Sequence, residues 1–112
     1  SPLAWRFLDS SVDAFMTVSD DEAITAMRQL ATGSEHDIPV LAGESGVAGL
    51  AALNQLAVDK AQMAALGLDE QARVLFISSE GATAPSVYAE AAGETAETVL
   101  ARQQQWLNAQ NT

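Results

Sequence analysis

The chain has 112 residues, 48% of them hydrophobic, and its 15 acidic and 5 basic residues give a formal net charge of −10. This length and composition predict a single domain over residues 1–112 with one core of ordinary size. A surface this negative repels phosphate backbones and anionic lipid, so nucleic acid and membrane surfaces are not expected partners. The expected partner is therefore a small molecule or another protein.

Three further features of the composition narrow the class of protein. The sequence has no cysteine, which excludes a disulfide framework and a thiolate nucleophile and suits a cytoplasmic protein. The single histidine, His36, has no clustered partners of the kind that a metal site needs, so we expect a solvated loop side chain and no metal. The apolar stretch at 38–58 is interrupted by polar residues such as Glu44, so it does not predict a membrane span.

The first part of the chain is predicted to contain two helices separated by a short strand. Apolar residues recur at helical spacing over residues 2–12, and an apolar strand is expected at 14–18. Ser19 and Glu22 have the spacing of a reciprocal capping box, which predicts a helix that runs to about Ala31.

The remainder of the chain shows the same alternation. The run Val74–Ile77 is continuously apolar, which is typical of a strand that is covered on both faces. The predicted elements are strands at 39–42 and 73–77 and helices at 47–66, 86–92 and 94–108.

This order of elements predicts the fold class. Strands that alternate with helices favour an α/β fold, a small three-layer sandwich of about three mainly parallel strands with crossover helices. So small a sheet leaves two edges unpaired. We therefore expect either a homodimer or association with a further part of a longer protein, an N-terminal part missing from this chain.

Two polar turns, residues 43–46 and 78–81, each follow a predicted strand and precede a helix. The carboxyl ends of such strands meet at one sheet edge, where ligands bind in α/β proteins. Gly43–Gly46 could be a plain turn in which Ser45 caps the next helix, or a cradle of backbone amides for a cofactor or anion. For Ser78 and Ser79 the alternatives are capping and ligand contact, and a serine nucleophile is not expected because the chain has only one histidine.

Residues 73–85 (RVLFISSEGATAP) resemble the closing segment of fold type II enzymes that use pyridoxal 5′-phosphate (PLP). Within that group the segment is most similar to diaminopropionate ammonia-lyase, in which a strand is followed by hydroxyl residues, a glutamate, a glycine and a threonine. The matching residues here are Ser78, Ser79, Glu80, Gly81 and Thr83. Further similar segments occur in the family's order at residues 2–5, 18–22, 43–46 and 67–69.

The resemblance implies a cofactor and a set of binding residues. It implies that the hydroxyl of Ser78 hydrogen-bonds the pyridine nitrogen of PLP, and that the Gly43–Gly46 loop lies along the other side of the cofactor with Glu44 near the ring. A neutral hydroxyl leaves the ring a milder electron sink than an aspartate would, which suits elimination from the β-carbon of an amino acid. The implied cofactor-binding residues are Ser78, Ser79, Gly81, Glu44, Gly43 and Ser45.

The chain departs from the family pattern in ways that bear on catalysis. Ala82 and Ala84 stand where the family has aspartates. The family's cofactor-bearing lysine, phosphate loop and catalytic acids belong to an N-terminal region that this sequence does not contain, and Lys60, the only lysine here, is expected to be a surface residue. No catalytic residue is therefore assigned.

Two functions follow as expectations. In the first, the chain is the C-terminal part of the PLP-binding large domain of an ammonia-lyase that converts the amino-acid substrate 2,3-diaminopropionate to pyruvate. In the second, it is a non-catalytic acidic α/β interaction domain derived from the same scaffold, a hypothesis that Ala82 and Ala84 favour.

Overall fold

The computed structural model describes residues 1–111, of which 56% are helical. None of the described helices is long and apolar enough to cross a membrane. The helices are α1 (Pro2–Ser11), α2 (Asp20–Thr32), α3 (Ala48–Ala57), α4 (Lys60–Ala65), α5 (Pro85–Ala92) and α6 (Ala96–Gln110).

The predicted α/β sandwich is wrong, because residues 1–111 contain no strand and no sheet. The segments at 14–18, 39–42 and 73–77 are all irregular. A strand exists only as part of a ladder of hydrogen bonds with a neighbouring backbone, and these three segments make no such ladder with one another. The apolar pattern therefore identified segments that are suited to a sheet, but no neighbouring backbone pairs with them in the described residues.

Helix α2 begins and ends as the sequence predicts. The Ser19 hydroxyl accepts a hydrogen bond from the Glu22 amide at 3.2 Å, and the Glu22 carboxylate accepts one from the Ser19 amide at 2.8 Å. This reciprocal pair satisfies two amides that the helix leaves free at its start. Gly33 ends the helix with φ of 62°, a conformation that costs glycine little.

The single helix predicted at 47–66 is instead two helices. Helix α3 ends at Ala57, and α4 begins at Lys60 after Asp59, whose side chain accepts a hydrogen bond from the Gln62 amide at 3.1 Å. Aspartate competes for backbone amides in this way and therefore favours a cap over a helix interior. The alanine content of this stretch predicts one continuous helix, but the capping hydrogen bond of Asp59 starts a second helix instead.

The core is small and is organised around α2. This helix packs against α3 and α5, and α5 packs against α6. Small side chains let these helices approach closely, and Met27 is the largest fully buried side chain. The buried cluster consists of Ala23, Ala26, Met27, Ala31, Ala42, Val47, Ala51, Tyr88 and Val99.

Three polar side chains hold helix α6 to the last turn of α2 and to the loop that follows it. Arg102 donates to the Ala31 carbonyl at 2.7 Å, Gln103 to the Pro39 carbonyl at 2.9 Å, and the Trp106 indole to the Ser34 carbonyl at 2.9 Å. Each accepting residue precedes its donor by more than 60 positions in the sequence. These bonds fix residues 31–39, which lead directly into the first polar turn.

We expect the ion pair between Glu94 and Arg102 to make stability depend on pH. Arg102 Nη2 lies 2.5 Å from Glu94 Oε2, and this hydrogen bond, with the attraction of the guanidinium, holds the pKa of Glu94 below its usual range. Because the folded-state pKa is lowered, the contribution is complete above the unfolded value of about 4.3 and is lost as the pH falls below it. Urea unfolding between pH 7 and pH 3 measures this loss, which Glu94→Gln should reduce.

The matched control for this prediction is Glu90→Gln, which changes an exposed carboxylate on α5. Its unfolding free energy should depend on pH as that of the unaltered chain does. Equal pH dependence in Glu94→Gln and the unaltered chain would contradict the assignment to the ion pair.

Candidate functional site

The structure brings the two polar turns together. The Gly43 amide donates a hydrogen bond to the Glu80 carbonyl at 2.8 Å, which joins the turn before α3 to the turn before α5. The turns are 37 positions apart in sequence, and the packing of α3 and α5 against α2 places them side by side. They are adjacent even though no sheet edge aligns them.

Glycine at two positions makes this close approach possible. A Cβ atom on Gly43 would lie 2.6 Å from the Gly81 carbonyl oxygen, and one on Gly46 would lie 2.6 Å from the Glu80 carbonyl oxygen. Both distances are far below ordinary van der Waals contact. The two turns can therefore touch only because neither glycine carries a side chain.

A cavity of about 110 Å³ lies beside this junction. Sites for small molecules usually enclose about 300–1,000 Å³, so the described residues form a partial wall and not a complete binding site. The cavity is lined by Met27 of α2, by residues 43, 44 and 80–84 of the two turns, and by Val87, Tyr88 and Ala91 of α5.

The structure separates the expected cofactor-binding residues into two groups. Gly43, Glu44 and Gly81 line the cavity. The other group lies outside it, because Ser45, Ser78 and Ser79 are exposed and do not contribute to the lining.

Ser78 is nevertheless held close to the first turn. A Cβ atom on Gly46 would lie 2.9 Å from the Ser78 hydroxyl oxygen, so this hydroxyl sits directly against the glycine. No hydrogen bond to another described side chain or backbone group occupies it. A hydroxyl both donates and accepts hydrogen bonds, and this one is available to a ligand atom on the solvent side.

The lining residues contributed by the helices, such as Met27 of α2 and Tyr88 of α5, were missed by sequence reasoning. Met27 belongs to the apolar face of α2, which indicates a core residue and not a site. Tyr88 lies in an alanine-rich helix without any motif. The only signal for a site residue there is the side chain itself, which combines an apolar ring with a polar hydroxyl.

The Tyr88 hydroxyl is buried without a hydrogen-bond partner among the described residues. Burial, with a smaller effect from the negative charge of Glu94, raises the pKa of Tyr88, and the positive charge of Arg102 opposes this. The phenol therefore stays neutral near pH 7. It serves as a packed wall of the cavity.

The charges at the site determine which end of PLP these residues suit. The neutral Ser78 hydroxyl can donate to an unprotonated ring nitrogen, so that end of the cofactor fits. The phosphate does not fit, because the lining contains Glu44 and Glu80 and no lysine or arginine. Lys60 lies at the start of α4, is exposed and lines no part of this cavity.

Comparison with curated proteins points to one class of enzyme, the ammonia-lyases. The chain is 34% identical over 97 residues to the diaminopropionate ammonia-lyases of Escherichia coli K12 and O157:H7, a match that covers 84% of this chain. With the diaminopropionate ammonia-lyase of Salmonella typhimurium it is 34% identical over 92 residues, or 77% of this chain. These matches support a resemblance to diaminopropionate ammonia-lyase.

The similarity covers a limited part of those relatives. The chain spans 24% of the length of the Escherichia coli proteins and 22% of the Salmonella protein. No protein-family model matches the chain. No solved structure matches it either.

Proposed function

We propose that this chain is part of a cytoplasmic PLP-dependent ammonia-lyase that eliminates ammonia from 2,3-diaminopropionate and yields pyruvate. The observation that carries the proposal is the 34% identity over 84% of the chain to proteins named diaminopropionate ammonia-lyase. The adjacency of the two polar turns supports it, because it places the exposed Ser78 hydroxyl beside Gly46 of the first turn.

The Ser78 hydroxyl is the group that we assign to the cofactor. Bound PLP supplies an electron sink for elimination at the β-carbon of an amino acid. Ser78 would orient the ring by donating a hydrogen bond to its nitrogen. Because a hydroxyl carries no charge, it does not hold a proton on that nitrogen as an aspartate would.

The first turn has a supporting part in this proposal. The hydrogen bond from Gly43 to Glu80 ties the turn to the segment that carries Ser78. Glu44 is exposed at the rim of the cavity, where its carboxylate would face the ring. We propose Ser45, Ser79 and Gly81 as further contacts from the same two turns.

The proposal predicts a specific loss when the Ser78 hydroxyl is removed. The experiment uses a hybrid in which this chain replaces the matching quarter of the Escherichia coli enzyme. We expect Ser78→Ala to weaken PLP retention about tenfold, the upper end for loss of one hydrogen bond, and to slow ammonia release. Equilibrium dialysis against PLP and an ammonia assay measure the two effects.

Two control variants accompany this test. Ser78→Thr keeps the hydroxyl and should restore most of the PLP affinity, whereas Ser86→Ala removes an exposed hydroxyl on α5 and should change neither readout. A folded hybrid that retains no PLP and releases no ammonia would contradict the lyase proposal. That result would favour a non-catalytic interaction domain, as Ala82 and Ala84 do.

A further inference from the structure

The most apolar segment of the chain has an unpaired backbone. Within residues 1–111, the amides and carbonyls of 73–79 make none of the backbone hydrogen bonds that hold the turns and helices. The four successive side chains of Val74, Leu75, Phe76 and Ile77 are 45%, 87%, 40% and 81% exposed. Unpaired backbone beside large apolar side chains is a template for pairing with another chain.

The exposure of these side chains alternates, as it does along an extended backbone. The less exposed face packs on α3, where a Cβ atom on Gly49 would lie 2.7 Å from Phe76 Cδ1. Leu75 and Ile77 form the opposite face and are almost bare. The segment therefore has one covered face, one open face and two unpaired edges.

The whole chain also exposes more surface than a self-contained domain would. Its accessible surface is 8087 Å², whereas about 5,900 Å² is expected for a folded chain of 11.7 kDa. The excess of about 2,200 Å² is well above the roughly 800 Å² that each partner buries in a standard interface. The radius of gyration agrees, at 16.0 Å against about 13 Å for a compact domain of this length.

We propose that residues 73–79 are a docking surface for the remaining part of an ammonia-lyase-type polypeptide. That part supplies an extended segment to each edge of 73–79 and an apolar layer over Leu75 and Ile77. The proposal rests on the proposed function for the identity of the occupant. The relatives provide the length that is needed, since this chain spans only 24% of theirs.

A second copy of the chain would cover less of this surface than a longer polypeptide would. In a two-fold dimer the same patch meets itself, so the segment of one copy pairs with that of the other along a single edge. The second edge then stays open. A longer polypeptide can approach both edges and the bare face at once.

The first test is co-expression of this chain, carrying an affinity tag, with the Escherichia coli enzyme from which the matching quarter is deleted. We expect the two to elute together in equal amounts. Ile77→Glu places a charge on the bare face and should weaken the complex at least tenfold, given the apolar area lost. Val58→Glu is the matched control, because Val58 is 83% exposed elsewhere on the chain and should leave the complex intact.

The second measurement is amide hydrogen exchange of residues 73–79 in the hybrid enzyme and in the chain alone. Exchange should be slower in the hybrid by about a hundredfold, because an amide in a paired strand exchanges only when the pairing opens. This readout needs no activity. Fast exchange in a folded hybrid would overturn the proposal. A stable dimer of the chain alone that Ile77→Glu dissociates would also overturn it, in favour of the second copy.

The docking surface and the lyase function can be tested independently, because amide protection and activity are separate measurements. A hybrid that protects residues 73–79 but retains no PLP and releases no ammonia would remove the proposed function and leave the docking surface. A hybrid that is active although the amides of residues 73–79 exchange fast would contradict the docking surface and support the proposed function.

Discussion

Met27→Ala is expected to destabilise the chain by about 2–5 kcal/mol, the range for truncating a buried methionine. Met27 is 1% exposed and is the largest fully buried side chain of the cluster. It also lines the cavity of about 110 Å³, so truncation enlarges a space that is already incompletely filled. Most of the other members of the cluster are alanines, which cannot extend into the gap.

The loss is large beside the total stability of a domain of this size, about 5–15 kcal/mol. Thermal unfolding should therefore shift down by on the order of 10 °C or more. The matched control is Met16→Ala, since Met16 is 42% exposed, and its unfolding free energy should change by less than about 0.5 kcal/mol. Equal losses from the two methionines would show that the core is not packed as described.

Gly46→Ala is expected to separate the two polar turns. The new methyl group would lie 2.6 Å from the Glu80 carbonyl oxygen and 2.9 Å from the Ser78 hydroxyl oxygen. A hydroxyl can rotate away, but a backbone carbonyl moves only with its chain. We expect a cost of about 3 kcal/mol, at the upper end for overpacking, and faster exchange of the Gly43 amide because its bond to Glu80 is weakened.

Gly81→Ala provides the matched control in the same junction. A Cβ atom on Gly81 would have no atom within 4 Å, and Gly81 is not among the glycines with positive φ. The substitution should leave stability unchanged or raise it slightly, since alanine restricts the unfolded chain. If Gly81→Ala cost as much as Gly46→Ala, glycine content and not the close approach would explain the effect.

Helix positions were largely predictable because their signals are local. The capping box at Ser19 and Glu22 and the glycine at Gly33 each act within one helical turn, and both ends of α2 were confirmed. Gly93 likewise closes α5 in the left-handed conformation. The break between α3 and α4 was missed because alanine-rich sequence outweighed the capping preference of Asp59.

The predicted strands failed for a physical reason. The apolar pattern at 73–77 indicates that the side chains are suited to pack against other apolar groups. A strand requires in addition a second backbone at hydrogen-bonding distance. Within the described residues that second backbone is missing. The same reason explains why the segment with the most apolar pattern is among the most exposed.

The site was predictable in part. Both turns drew attention through their polar residues and glycines, but no sequence pattern shows that Gly43 and Gly46 approach Glu80 and Ser78. The division of the predicted residues between the cavity and the outer surface also depends on how α5 packs against α2. Tyr88 enters the cavity wall only through that packing.

Three features could be established from the amino-acid sequence: the ends of α2, the acidic character and the similarity to diaminopropionate ammonia-lyase. Capping, charge and residue order are properties of the chain that do not depend on how it packs. The fold was needed to show which atoms of the two turns touch, which serines stay exposed and which apolar segment lacks a cover. These depend on contacts between residues far apart in sequence. Such contacts form only when the small side chains of α2, α3 and α5 let the helices pack closely.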